Sequence, residues 1–217
     1  MIAEPLGPGR ALLLVGAVRG LESESPRVLA AVDGHAPTAV GIGLSTEEVA
    51  SLRRYFVASD AEPVVPLTSN ETGEVRGLSR FGRVRVPNPS FIDLIAWADE
   101  RALPIEALDP SEDASAEMFA EHIGYVELVR RTVRERSTGR NPPAPSSPDE
   151  FALAWDQSVA GGRGSRAFAR SRDGHLVRGA RRLAQGRGRI AVVVDRERFP
   201  LVRELLTGRE PERLGDP

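Results

Sequence analysis

Cysteine and lysine are both missing from this chain of 217 residues. The first absence removes disulfides, thiol nucleophiles and thiolate metal sites, and fits a reducing compartment. The second removes Schiff-base chemistry and the lysine of a phosphate-binding loop. All 29 basic residues are therefore arginine, a bias that reads first as genome composition in a chain rich in alanine, glycine, valine and proline. Long apolar runs are lacking too. Ala11–Ala17 is far too short to span a bilayer and no charged leader precedes it, so a soluble, cytoplasmic protein is expected. There are three histidines, His35, His122 and His175, without metal-ligand spacing. His35 reads as a capping or surface residue beside Gly34, and His122 as ordinary helix packing.

What is present suffices for a core. Hydrophobic residues make up 41% of the chain, enough for one domain over 1–217 with an attached helical region. The net charge of -2 hides a polarity: residues 1–120 carry 18 acids and 10 arginines, whereas 121–217 carry 13 acids and 19 arginines. A basic half invites nucleic acid. No recognition helix, zinc finger or aromatic-interleaved basic stripe accompanies it, so nucleic acid is not the expected partner and a self-complementary or partner-binding surface fits at least as well.

Hydrophobic periodicity predicts strands at 11–16 and 38–43 and helices at 24–33 and 46–57, the second opened by the capping sequence Ser45-Thr46-Glu47-Glu48. EPVVPL at 62–67 is a short strand candidate bounded by prolines. Alternation around two glycine-bearing turns predicts a hairpin or ribbon at 72–86. Phe91, Leu94, Ile95 and Ala98 form a helical stripe, and Leu103–Leu108 returns to a strand. The pattern then predicts one long helix from Ser111 to about Ser137, a connector at 137–148, a helix from Asp149 to before Gly161, and another from about Ser165 to Ala184. Gly162 and Gly164 permit the turn between the last two. This order gives a three-layer α/β domain with a mostly parallel or mixed sheet and a helical insertion at about 111–185, before the final strand.

That final strand lies in GRIAVVVDRERFPLVRELL at 188–206, where five apolar residues run into charge. Side chains at the carboxyl end of a buried parallel strand are the usual ligand contacts of such folds. The first strand ends similarly, with Gly16 and then Arg19 and Gly20. The two ends together offer Arg19, Asp195, Arg196 and Glu197. Arg172, Asp173 and His175, in ARSRDGHLVRGARRL, complete the ligand-binding candidates. Asp195 and Glu197 have the oxygen chemistry to hold a hard metal, although the neighbouring Arg189, Arg196 and Arg198 offer simple neutralisation. Glu106 and Asp109 flank the 103–108 strand, with Asp109-Pro110-Ser111 reading as a helix cap. The glycines lack Rossmann and phosphate-loop spacing, and Ser23, Ser45 and Ser165 lack a base and orienter. No catalytic residue, metal or cofactor is assigned.

Three segments carry a family likeness. ALLLVGAVRGLESESPRVLAAVDGHAPTAVGIGLSTEEVASLRRYF resembles the amino-terminal unit of the TraB/PrgY pheromone-shutdown family, within the erythromycin-esterase/ChaN/Tiki-like group. WADERALPIEALDP is similar to the family's helix-strand unit before its helical insertion. SRDGHLVRGARRLAQGRGRIAVVVDRERFPLVRELL is similar to its arginine-aspartate helix, final strand and ligand-bearing loop. The likeness implies the α/β order above over about 150 residues. The family's first motif ends in histidine where this chain has Arg19, its second strand ends in glutamate where this chain has no acid before Glu47, and its last loop ends in a histidine that VVVDRERFP lacks. Arg172 and Asp173 stand where the family's polar pair stands. The metal-coordinating histidines being absent, the resemblance implies a binding or regulatory domain recognising a protein partner or small anionic ligand. The alternatives are a divergent metal-dependent hydrolase with carboxylate ligands, and a structural homo-oligomer formed through the 72–86 ribbon or the 117–136 helix.

Overall fold

The computed structural model describes residues 1–7, 11–57 and 68–208. Its strands form one mixed sheet in the order β1 (Ile2–Leu6), β2 (Leu12–Ala17), β5 (Ile190–Asp195), β3 (Ala39–Ile42) and β4 (Ile105–Ala107). β1 runs antiparallel to β2, and the other neighbouring pairs are parallel. β2, β3 and β5 are buried at every position, so both faces are covered and the strands read as continuous apolar runs. β1 escaped the sequence reading because IAEPL is short, half exposed and contains Pro5, which an edge strand tolerates.

Helices α1 (Glu24–His35), α2 (Thr46–Val57) and α4 (Pro89–Glu100) cover one face, where Val28, Val32 and Leu94 meet Val15, Ile42 and Val193. On the other, Leu176 and Ala180 of α8 (Arg163–Arg187) and Val202 of α9 (Phe199–Thr207) meet Leu14, Val192 and Val194. The three-layer α/β expectation therefore holds. Of the remaining helices, α3 (Ser69–Leu78), α5 (Glu112–His122), α6 (Tyr125–Arg140) and α7 (Pro148–Ala160), the first and last supply a third cluster around the β2–α1 connection: Val18 and Leu21 pack with Leu78, Phe151, Trp155 and Val159. Among the described residues no helix is long and apolar enough to cross a membrane.

Two expectations are corrected. The ribbon at 72–86 is instead helix α3 followed by a turn, with a single bridge between Leu21 and Val84. A reciprocal capping box between Thr68 and Glu71 starts the helix. Its glycines sit where other helices come close: a Cβ on Gly73 would lie 2.5 Å from Gly139 Cα of α6, and one on Gly77 would enter the Phe151 ring of α7. The long helix predicted from Ser111 is two helices, broken at Ile123-Gly124. Glu127 of α6 then accepts the Gly164 and Ser165 amides at 2.8 and 2.7 Å, capping α8 from another helix. A Cβ on Gly164 would collide with the His122 carbonyl, so that glycine serves close approach as well as the turn. The candidate strand at 62–67 lies outside the described residues.

Candidate functional site

The connection from β2 to α1 leaves the sheet toward one face and that from β5 to α9 toward the other, which opens a crevice between the carboxyl ends of β2 and β5. Ala17 is paired with Asp195 in that register. Arg19 follows on a loop fixed from outside: the Gly20 carbonyl accepts from the Arg85 amide at 2.8 Å, and the Glu22 amide donates to the Arg83 carbonyl at 3.0 Å. Gly20 has φ of 77°, a left-handed conformation that suits glycine. Arg19 Nη2 donates to Asp195 Oδ2 at 2.7 Å and to Glu197 Oε1 at 3.3 Å. Both contacts use one nitrogen, so Nε and Nη1 of this half-exposed side chain have no partner among the described residues.

Charge in the cluster is unevenly held. Attraction to Asp195 raises the Arg19 pKa well above its usual value. Burial, reinforced by repulsion from Asp195 and opposed by Arg19, pushes the Glu197 carboxyl up to about 8. Glu197 thus keeps its proton at neutral pH. Asp195 is buried, and its Oδ1 has no hydrogen-bond partner among the described residues. Burial also raises Glu74 of α3, at the same cavity.

A second cluster lies deeper. Arg198 donates to both oxygens of Asp109, to Asp173 Oδ1 at 2.8 Å and to the Gly43 carbonyl at 3.1 Å. Arg172 Nε donates to Asp109 Oδ2 at 3.0 Å. Burial pushes Asp109 up, but the charges of Arg198 and Arg172 outweigh it and hold the carboxyl below its usual range; for Asp173 burial wins over Arg198 and the pKa rises. The network joins the segments that follow β3, β4 and β5 to α8. Asp109 is consequently an ion-pair partner rather than a helix cap, and Ser111 caps α5 by accepting from the Ala114 amide.

Both clusters border a cavity of about 590 Å³. Six arginines line it, Arg19, Arg131, Arg166, Arg170, Arg172 and Arg198, against the acids Glu74, Asp156, Asp173 and Glu197. Apolar surface comes from Trp155, Val159, Phe168 and Leu201. Of the residues singled out from sequence, Arg19, Asp195 and Glu197 come together, and Arg172 and Asp173 join through Asp109 and Arg198. Arg196 does not join them: its Nε donates to Asp149 Oδ1 at 2.6 Å, and it does not line the cavity. His175 is half-buried on α8 and is not part of the lining either. Sequence reading passed over Arg198 as a neutralising charge and missed Glu24, fully buried, which accepts the Val18 amide at 3.1 Å and pairs with Arg27. An acid within the first turn of a helix signals only dipole compensation, and nothing local marks it as a loop anchor.

The donor set does not suit a metal. Glu106 lines a separate cavity with Glu47, Arg53 and Arg54, and Asp109 is occupied by two arginines. Among the described residues no group of three histidine or carboxylate side chains is arranged to hold an ion. No family model matches this chain, and no curated protein matches it.

Proposed function

We propose that this protein is a noncatalytic binding or regulatory domain that takes a small anionic ligand in the cavity beside β2 and β5. The observation carrying this reading is that Arg19 keeps N–H groups on Nε and Nη1 without a partner among the described residues, beside a cavity where arginines outnumber acids and Glu197 is neutral at pH 7. Guanidinium N–H groups donate charge-assisted hydrogen bonds that carboxylates and phosphates accept. Arg166 and Arg170, four residues apart on α8, share one side of the helix. Their present contacts, to the Gly161 carbonyl at 3.2 Å and to Glu204 at 3.4 Å, are exposed and cheap to exchange for a ligand. Trp155 and Leu201 offer apolar contact to an organic acid. Within this reading the domain is TraB-like without the family's histidines, a part supported by the likeness of the three segments quoted above. A hydrolase held together by carboxylate-bound metal has less support, because Glu106 and Glu197 line different cavities and Asp109 is taken up by two arginines.

Calorimetric titration of the full chain with benzoate and with inorganic phosphate tests the site. Saturable binding of at least one anion is expected, weakened about tenfold or more in Arg19→Gln at unchanged circular dichroism, since a charged hydrogen bond contributes about 1.5–3 kcal/mol. Equal affinity in the variant places the anion elsewhere and defeats the reading.

A further inference from the structure

Five of the six large apolar side chains exposed among the described residues belong to one helix: Tyr125, Val126, Leu128, Val129 and Val133 of α6. Val126, Val129 and Val133 recur at intervals of three and four, forming one row along it. The exposure is extensive, 81% for Tyr125 and 62% for Val133. Scattered apolar residues are ordinary on a protein surface, but a contiguous row marks a contact face. The opposite side of α6 is already in use, where Glu127 holds the start of α8 and Arg131 pairs with Glu135 at 2.9 Å.

Charge beside the row has a matching order. The exposed charges of α6 are all basic, Arg130, Arg136 and Arg140. Those of the preceding helix α5 are all acidic, Glu112, Asp113, Glu117 and Glu121, and α5 contains no arginine. None of these seven forms an ion pair among the described residues. A surface with an acidic helix at one end and a basic, apolar helix at the other is complementary to itself under a two-fold rotation.

We infer that the α5–α6 surface is a homodimer interface, covered by a second copy of this chain. Two α6 helices crossing antiparallel near Val129 set Val133 toward Tyr125 of the second copy. The basic end of each α6 then runs toward the acidic end of the other copy's α5, which brings Arg136 to the neighbourhood of Glu121. Size sets how far such a contact must extend. A 16-residue helix is about 24 Å long, and a strip roughly 10 Å wide along it is far below the roughly 800 Å² per partner of a stable interface. α6 alone is therefore too small, and a stable contact has to extend past it onto α5 and the elements beside both helices. A second copy provides the acids of α5 in register, independently of what the cavity binds.

Sedimentation equilibrium of the full chain between about 1 and 100 μM is expected to show a monomer–dimer equilibrium. Val129→Glu and Arg136→Glu should each raise the dissociation constant at least tenfold, and Arg136→Glu combined with Glu121→Arg should regain most of that loss. Circular dichroism and thermal melting of Arg136→Glu should match the wild type at a concentration low enough for both to be monomeric, because the changed side chain is exposed in the monomer. A wild-type chain that stays monomeric at 100 μM overturns the inference. So does a dimer that neither substitution weakens, or a charge-swapped pair no tighter than Arg136→Glu alone.

Discussion

Arg198 and Asp109 meet through two parallel hydrogen bonds, Nη1 to Oδ2 at 2.8 Å and Nη2 to Oδ1 at 2.7 Å, at the carboxyl edge of the sheet. Both side chains are buried, and the geometry matches the guanidinium fork to the carboxylate. Removing one partner leaves the other charge desolvated, which generally costs about 3–5 kcal/mol. Arg198→Met should therefore lower the unfolding free energy in urea by that order, because Asp173 loses its ion pair while Asp109 keeps only Arg172. Arg198→Lys should recover little, since an ammonium cannot serve both oxygens and the Gly43 carbonyl in the same plane. A loss below about 1 kcal/mol for Arg198→Met would show that the pair does not hold these loops.

Much of this edge could be read from sequence because the burial of β2 and β5 is written as continuous apolar runs, and the first charges after a run must lie at its end. Arg19, Asp195 and Glu197 are legible in that way. Arg196 was grouped with them because it is adjacent to both acids, yet its carbonyl-side neighbours are already turning into α9, and the side chain reaches Asp149 of the distant α7. Contacts over such separations leave no local trace. The segment at 72–86 is illegible for a different physical reason. Gly73 and Gly77 suggest turns when apolar and polar residues alternate nearby, but glycines four apart also put two gaps on one side of a helix. Which meaning applies depends on Gly139 and Phe151, far along the chain.

Glu197 makes stability depend on pH. Its folded pKa of about 8 lies above the ordinary value of 4.5, so between these two the folded state binds the proton that the unfolded state has released. Stability associated with this group is complete below pH 4.5, declines as pH rises through the window, and is flat above about 8. At 1.36 kcal/mol per pKa unit the total decline is at most roughly 5 kcal/mol. Glu197→Gln should remove this component, which urea melts at pH 5, 7 and 9 will measure against the wild type. The same proton bears on the proposed anion site: benzoate affinity should fall between pH 7 and 9 in the wild type and stay nearly level in Glu197→Gln. Parallel pH curves for the two proteins would dissociate Glu197 from both effects.

Close helix packing predicts glycine substitutions of opposite sign. Alanine raises intrinsic helix stability by up to about 1 kcal/mol over glycine, and at Gly34 in α1 the added methyl has nothing within 4 Å. Gly34→Ala should thus be neutral or stabilising by up to that amount. At Gly73 the methyl would stand 2.5 Å from Gly139 Cα and 2.8 Å from its carbonyl oxygen, backbone atoms that cannot rotate away. α3 and α6 must then separate. Overpacking of this kind costs about 1–3 kcal/mol, which exceeds the propensity gain, so Gly73→Ala should melt lower than the wild type. A Gly73→Ala protein at least as stable as the wild type would mean that α3 does not rest on α6 through that glycine pair.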